Sequence, residues 1–273
     1  SYNSPDVNAS TTNPLLWVGN GGFTVVSAVK GQSVTLKANP LYNSGPKISG
    51  DIKNIIQKFV ADGNPVVQAL GNGEVSLYSG QQTADGVAAL KKLAGVTTIG
   101  GRGGAYEHGD LRSGAYFSGG SPYTGLFAGN GVKATDLRRA FLLCVPRQEI
   151  VEKLIATINS DIPPLRSVTV PSHEDSKYAK VIAANGSSYY VGTQESLNKR
   201  SLSLVQKYQK NAVKNPLKVN FLVPGNNARR AAQALLLKAN LAKCGFDVNL
   251  DTQVDWSPKL RDSKYDAAFF AWA

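Results

Sequence analysis

Alternating apolar and polar positions begin at Phe23. FTVVSAV (Phe23–Val29) and SVTLKA (Ser33–Ala38) each carry the two-residue period of a half-buried strand, and Lys30–Gly31 between them predicts a hairpin turn. The preceding SYNSPDVNASTT has no period and reads as a loosely held arm. Ile52 to Val60 carries Ile55, Ile56, Phe59 and Val60, which by period alone fits a strand or a helix. Asn64–Pro65 predicts a cap and a first-turn proline for a helix to Leu70, and Asn72–Gly73 a turn into a strand from Glu74 to Tyr78. Thr83 caps a helix to Leu93, Gly95 stops it, and Val96 to Ile99 begins an extended run.

The run becomes a strand over Ala105 to Leu111, where aromatic, charged and apolar residues alternate as they do on a strand facing an open groove. After a glycine-rich loop the period changes. Leu137, Ala140, Phe141 and Cys144 fall at i, i+3, i+4 and i+7 and form one apolar stripe, with Arg138 and Arg139 on the opposite face. Pro146 ends that helix and is tolerated at the start of the next, with Ile150, Val151, Leu154 and Ile155 inward. Ile162 to Ser176 is proline-rich and expected to be irregular. A helix over Glu195 to Lys210 follows, with Leu197, Leu202, Val205 and Tyr208 inward. Then comes a βαβ unit of strand Leu217–Val223, helix Asn227–Lys243 and strand Phe246–Leu250. Strands and helices alternate throughout, which predicts an α/β fold.

The chain's 273 residues, 42% of them hydrophobic, suffice for one large or two ordinary cored domains. No apolar run approaches the roughly 20 residues a membrane helix needs, and no basic-then-apolar leader opens the chain, so a soluble form is expected. The net charge of +11 raises the possibility of a polyanion partner. The basic residues are scattered, however, and the densest stretch, Asn198 to Lys218, lacks interleaved aromatics, so nucleic acid is not expected. Cys144 and Cys244 with His108 and His173 make a structural zinc site unpromising; no metal or cofactor is expected. Both cysteines lie on apolar helix faces and read first as buried free thiols, a disulfide being the alternative. The Gly100–Gly104 cluster lacks the helix that a phosphate cradle needs behind it, and no nucleophile motif appears. No catalytic residue is assigned; a secreted hydrolase using His108 and Glu107 is kept as an alternative, and an anionic-polymer-binding surface protein as another.

Four motifs occur in an order that resembles family 5 extracellular solute-binding proteins, the receptors of ABC importers for oligopeptides and related solutes. They are GNGGFTVVSAVKGQSVTLKANPLY from Gly19, Tyr106–Glu107 followed by DLRRAFLLCVPRQEIV, VPGNNARRAAQALLLKANLAKCGFDV, and Trp256 followed by YDAAFFAWA. Gly22 and Asn43 replace a usual Pro and Trp, and Pro146 a usual Asp cap, which removes a capping bond but not the helix. The resemblance favours a strand over Ile52 to Val60. It implies a two-lobe α/β fold of the periplasmic-binding-protein type (class II, cluster C), truncated, with residues 1–106 in the first lobe and 107–273 in the second, and a cleft between them. It further implies no enzyme activity, a peptide or other small solute as ligand, and a membrane permease as partner. Location would be extracellular or in the cell envelope, through a lipoprotein N-terminus outside this chain. Tyr106, Glu107 and His108 are the implied ligand contacts on the crossover strand, with Arg229, Trp256 and Trp272 opposite. Family members continue past the last strand to an acidic position and returning strands. Without these, uncovered edges are expected to make the piece self-associate and bind weakly.

Overall fold

The computed structural model describes residues 19–46, 50–60, 63–80, 83–101, 105–114, 122–159, 162, 164–165, 180, 190–262 and 264–272. The arm before Gly19 and most of the proline-rich stretch from Ile162 to Ser176 lie outside these. The chain forms two compact units, one of Ser1–Gln81 with Leu93–Val96, the other of Gln82–Lys92 with Thr97–Ala273.

The first unit holds a three-stranded antiparallel sheet in the order β1 (Phe23–Val29), β2 (Ser33–Ala38), β3 (Asn54–Lys58). Both hairpin strands have the expected bounds, because Gly31 turns the chain at φ +71°, where a side chain would be strained. Ile52 to Val60 holds a strand over Asn54–Lys58. Val25 faces Leu36, and Leu36 faces Ile55, so the apolar positions share one face. That face is not sealed: no residue of the three strands is fully buried, and every residue of β3 is exposed.

α1 (Asn64–Gly71) starts one residue earlier than the sequence suggests. Gly63, at φ +89°, takes the cap position without a side-chain bond, and Asn64 is already helical. The expected strand from Glu74 to Tyr78 does not form. The Glu74 and Val75 amides turn back to donate to the Ala69 carbonyl at 2.9 and 3.3 Å, and Leu77 is 84% exposed. A β-like composition makes a strand only where another strand supplies the ladder.

The second unit opens with α2 (Ala84–Leu90), whose cap Thr83 accepts from the Gly86 amide at 3.2 Å. Its sheet comprises β4 (Tyr106–Leu111), β5 (Leu217–Pro224), β6 (Phe246–Gln253) and β7 (Ala267–Trp272), in the order β4-β7-β5-β6. β5 runs parallel to β6 and to β7, and β4 antiparallel to β7. α3 (Val132–Leu143), α5 (Gln194–Gln206) and α6 (Ala228–Ala242) supply the apolar cover. The α3 stripe is wholly buried as expected, with Phe141 packed edge-on to Phe127 and Phe246. After Pro146, which serves as a cap without a side-chain bond, come α4 (Arg147–Ile150) and a π-helical turn over Val151–Ile155. A smaller core of Leu222, Leu260, Tyr265, Ala268 and Phe270 lies on the other face, under α7 (Trp256–Asp262), a helix that the sequence pattern does not reveal.

The expectation of free thiols fails. Cys144, capping α3, and Cys244, just past α6, form a disulfide with Cα atoms 6.4 Å apart. The two positions are 100 residues apart, and only the packing of α3 beside the end of α6 brings them together. The buried Asn240 side chain ties the same junction, donating to the Cys144 carbonyl at 2.7 Å while accepting from Asn198 at 3.0 Å.

Candidate ligand-binding site

Tyr106, Glu107 and His108 are consecutive on β4, so their side chains alternate between the two faces of the sheet. Tyr106 and His108 join the face of the smaller core. The His108 ring meets Phe270 edge-on at 4.5 Å and lies 5.4 Å from Tyr106, while its Nδ1 is 2.8 Å from Asp110 Oδ1. Trp256, at the start of α7, lies 5.4 Å from the same Phe270 ring. Two of the candidates, His108 and Trp256, therefore meet at one phenylalanine, which sequence reasoning did not single out, and Tyr106 joins them through His108. Trp272 pairs with Tyr106 across the β4–β7 ladder.

Glu107 points to the opposite face and meets the start of α6. Its Oε2 accepts from Arg229 Nη1 at 3.0 Å and its Oε1 from Arg230 Nε at 2.5 Å. All three side chains are largely withdrawn from solvent, at 16% exposure for the carboxylate and 12% for each arginine. Glu107 and Arg229, proposed separately from sequence, are thus partners of each other. Arg230 was missed. Its signal was the position: two adjacent cations in the first turn of a helix sit against the positive end of its dipole, with no acid in that turn. The compensating carboxylate comes from a strand 122 residues earlier. Asn227 caps the helix by accepting from the Arg230 amide at 3.0 Å. Gly225 lets the β5–α6 turn pass β6, since a Cβ there would lie 3.0 Å from the Thr252 methyl and 3.1 Å from the Gln253 carbonyl carbon.

This arrangement removes the hydrolase alternative in its His108–Glu107 form. Adjacent strand residues face opposite ways, and both Glu107 oxygens are held by guanidinium groups. Among the described residues no group of three or more His, Cys, Asp and Glu is placed to hold a metal.

The end of β4 is fixed to the start of β7. The Asp266 carboxylate accepts from the Tyr123 hydroxyl at 2.5 Å and the Asn220 amide at 2.7 Å, and the Arg112 amide donates to the Asp266 carbonyl at 2.9 Å. The Arg112 guanidinium lies 5.3 Å from the centre of the Tyr123 ring and 5.2 Å from that of Tyr265. Burial, reinforced by the bond to Asp266, pushes the Tyr123 phenol well above its usual range, so it stays a donor. The site strand is thereby held at both its ladder and its exit.

The mixed α/β fold with this sheet is that of the periplasmic-binding-protein type. Residues 2–273 match the family described as bacterial extracellular solute-binding proteins, family 5 Middle, and the chain belongs to that family. No curated protein matches it. Among solved structures it is similar to lactococcal OppA complexed with an endogenous peptide in the closed conformation, at 14% identity and a TM-score of 0.67, covering 98% of this chain and 50% of that one. NikZ from Campylobacter jejuni in complex with Ni(L-His) gives 17%, 0.65, 97% and 48%. Haemophilus influenzae OppA complexed with RPPGFSPFR gives 19%, 0.61, 95% and 47%. At these identities the likeness is one of fold. The chain spans about half the length of each of these proteins. Among the described residues no helix is long and apolar enough to cross a membrane.

Proposed function

We propose that this chain is part of a substrate receptor of an ABC importer, and that the whole protein binds oligopeptides or similar small solutes without covalent chemistry. The observation that carries this reading is the family match over residues 2–273. The geometry agrees with it. Tyr106, His108 and Trp256 offer broad contact area at low entropic cost, and the Glu107 cluster offers fixed charges; Trp272 is assigned to the same site from sequence. The ligands named for the similar structures, peptides in two cases and Ni(L-His) in another, supply the solute classes to test first.

A membrane permease as partner, a lipoprotein anchor, lobes over 1–106 and 107–273, and self-association of this piece belong to the same proposal. The disulfide suits an oxidising, extracellular compartment. Native mass spectrometry of the full-length protein, purified without refolding, is expected to show a copurified peptide or small solute. A ligand-free protein whose thermal unfolding shifts with no member of a peptide and amino-acid-chelate panel would sink the receptor reading. Binding only to polyanions, lost steeply with salt, would favour the anionic-polymer alternative.

A further inference from the structure

We propose that one end of the helical layer formed by α3 and α5 docks on an anionic lipid surface. The docking is independent of which solute the receptor takes. Residues 132–143 and 194–214, which are α3 and α5 with the turns after α5, carry eight Lys and Arg against two acids, so these short segments hold +6 of the chain's +11. Along the sequence the basic residues look scattered; packing gathers them. The Ser201 hydroxyl donates to the Ala140 carbonyl at 2.6 Å, and the Asp136 carboxylate accepts from Tyr208 at 2.9 Å and from Lys207 at 3.2 Å. The Lys133 ammonium lies 6.0 Å from the centre of the Tyr208 ring. The two helices therefore run antiparallel, and the start of α3 meets the end of α5. Lys133, Lys207, Lys210 and Lys214, all exposed, come to that one end of the layer.

Neither acid of the layer cancels this charge. Asp136 is 8% exposed and turned in between the helices, and Glu195 lies at the far end of α5, where Lys199 takes it up at 2.7 Å. Val132 and Val213 adjoin Lys133 and Lys214 in sequence and are 77% and 63% exposed. A single exposed valine needs no explanation. Two of them among four lysines have the composition of an interfacial contact, in which ammonium groups meet lipid phosphates and apolar side chains enter the headgroup boundary. Nucleic acid would call for open aromatic rings or arginine forks. Here the ring is that of Tyr208, partly buried with its hydroxyl on Asp136, and the cations at this end are lysines. The layer lies across the sheet from His108, Trp256 and Phe270, so docking leaves that cluster uncovered.

The test is co-sedimentation of the full-length protein, produced without lipid modification, with vesicles of phosphatidylcholine alone or mixed with phosphatidylglycerol. Binding is expected to the mixed vesicles and not to the neutral ones, and to fall as salt shortens the reach of the lysine charges. The combined variant Lys133→Gln, Lys210→Gln and Lys214→Gln leaves the Lys207–Asp136 pair intact and should weaken binding about 100-fold, at roughly fivefold for each lysine. Lys30→Gln, Lys91→Gln and Lys238→Gln together remove the same charge from exposed positions elsewhere and should change little. Val132→Ser with Val213→Ser should weaken binding to vesicles several-fold while leaving binding to a soluble polyanion, heparin, unchanged. Unfolding midpoints of each variant separate misfolding from lost docking. Failure of the folded wild-type protein to bind the mixed vesicles overturns the proposal, as does an equal loss in the two triple-lysine variants, which would make net charge the cause. Vesicle binding that ignores the valines overturns the bilayer in favour of an anionic polymer. All of these outcomes leave the receptor reading standing.

Discussion

β2 and β5 are both flanked by strands on either side, yet they end in different states. β2, SVTLKA, has a ladder on each edge and no fully buried residue, whereas β5, LKVNFLVP, has five. Both sequences are apolar enough to be a core. What separates them is cover: α3, α5 and α6 close one face of β5 and α7 the other, while among the described residues no helix of the first unit buries a residue of β1, β2 or β3. Hydrogen-bonded pairing sets a strand's direction and register, but the hydrophobic gain requires a second layer.

That contrast makes predictions of decreasing size. Phe141→Ala, in the sealed unit, should cost about 3 to 5 kcal/mol in a denaturant titration. A cost under about 1 kcal/mol would mean that this core is already loose. Reduction of the Cys144–Cys244 bridge should come next. Closing a loop of 100 residues corresponds to about 4 to 5 kcal/mol in the chain-entropy estimate, and about 2 to 4 is typical in practice. It is read as a fall in unfolding midpoint with reductant that Cys244→Ser reproduces.

A smaller, pH-dependent term comes from α3 and α5. Asp136 accepts from Tyr208 at 2.9 Å and pairs with Lys207 at 3.2 Å, and the Tyr208 bond, with Lys207 adding, lowers its pKa below the ordinary 3.8. A carboxyl depressed by folding stabilises the protein above its unfolded value. That contribution is lost as pH falls through the depressed folded value. Tyr208→Phe should therefore unfold more easily than wild type at neutral pH, with the gap closing in acid; a gap that stays constant with pH would remove Asp136 as its source. The smallest effect is expected at Ile55→Ser. On an exposed edge strand it should change stability by no more than about 0.5 kcal/mol, and a loss as large as that of Phe141→Ala would show that the face is covered in solution.

Local chemistry made most elements legible. Gly31 at the hairpin, Thr83 and Asn227 at helix starts, and the Leu137–Cys144 stripe are where they are because glycine conformation, capping bonds and helical period act over a few residues. The misses share the opposite cause. The strand expected over Glu74 to Tyr78 failed for want of a neighbour, and the disulfide depended on two helices meeting. In the site, the three residues on β4 could be named, but their division between two faces with different partners needed the sheet. Arg230 stood beside the arginine that was chosen, and only the carboxylate arriving from β4, which accepts from both, shows that the two act together.

The bridge between Cys144 and Cys244 also decides what a protease can do to this molecule. Because it closes a covalent ring around α4, α5, β5 and α6, a single nick at any peptide bond between the two cysteines releases nothing. The cut chain still migrates as one species on a non-reducing gel and separates into two only when thiol is added. That ring turns a scission that would otherwise be terminal into one that the fold can survive.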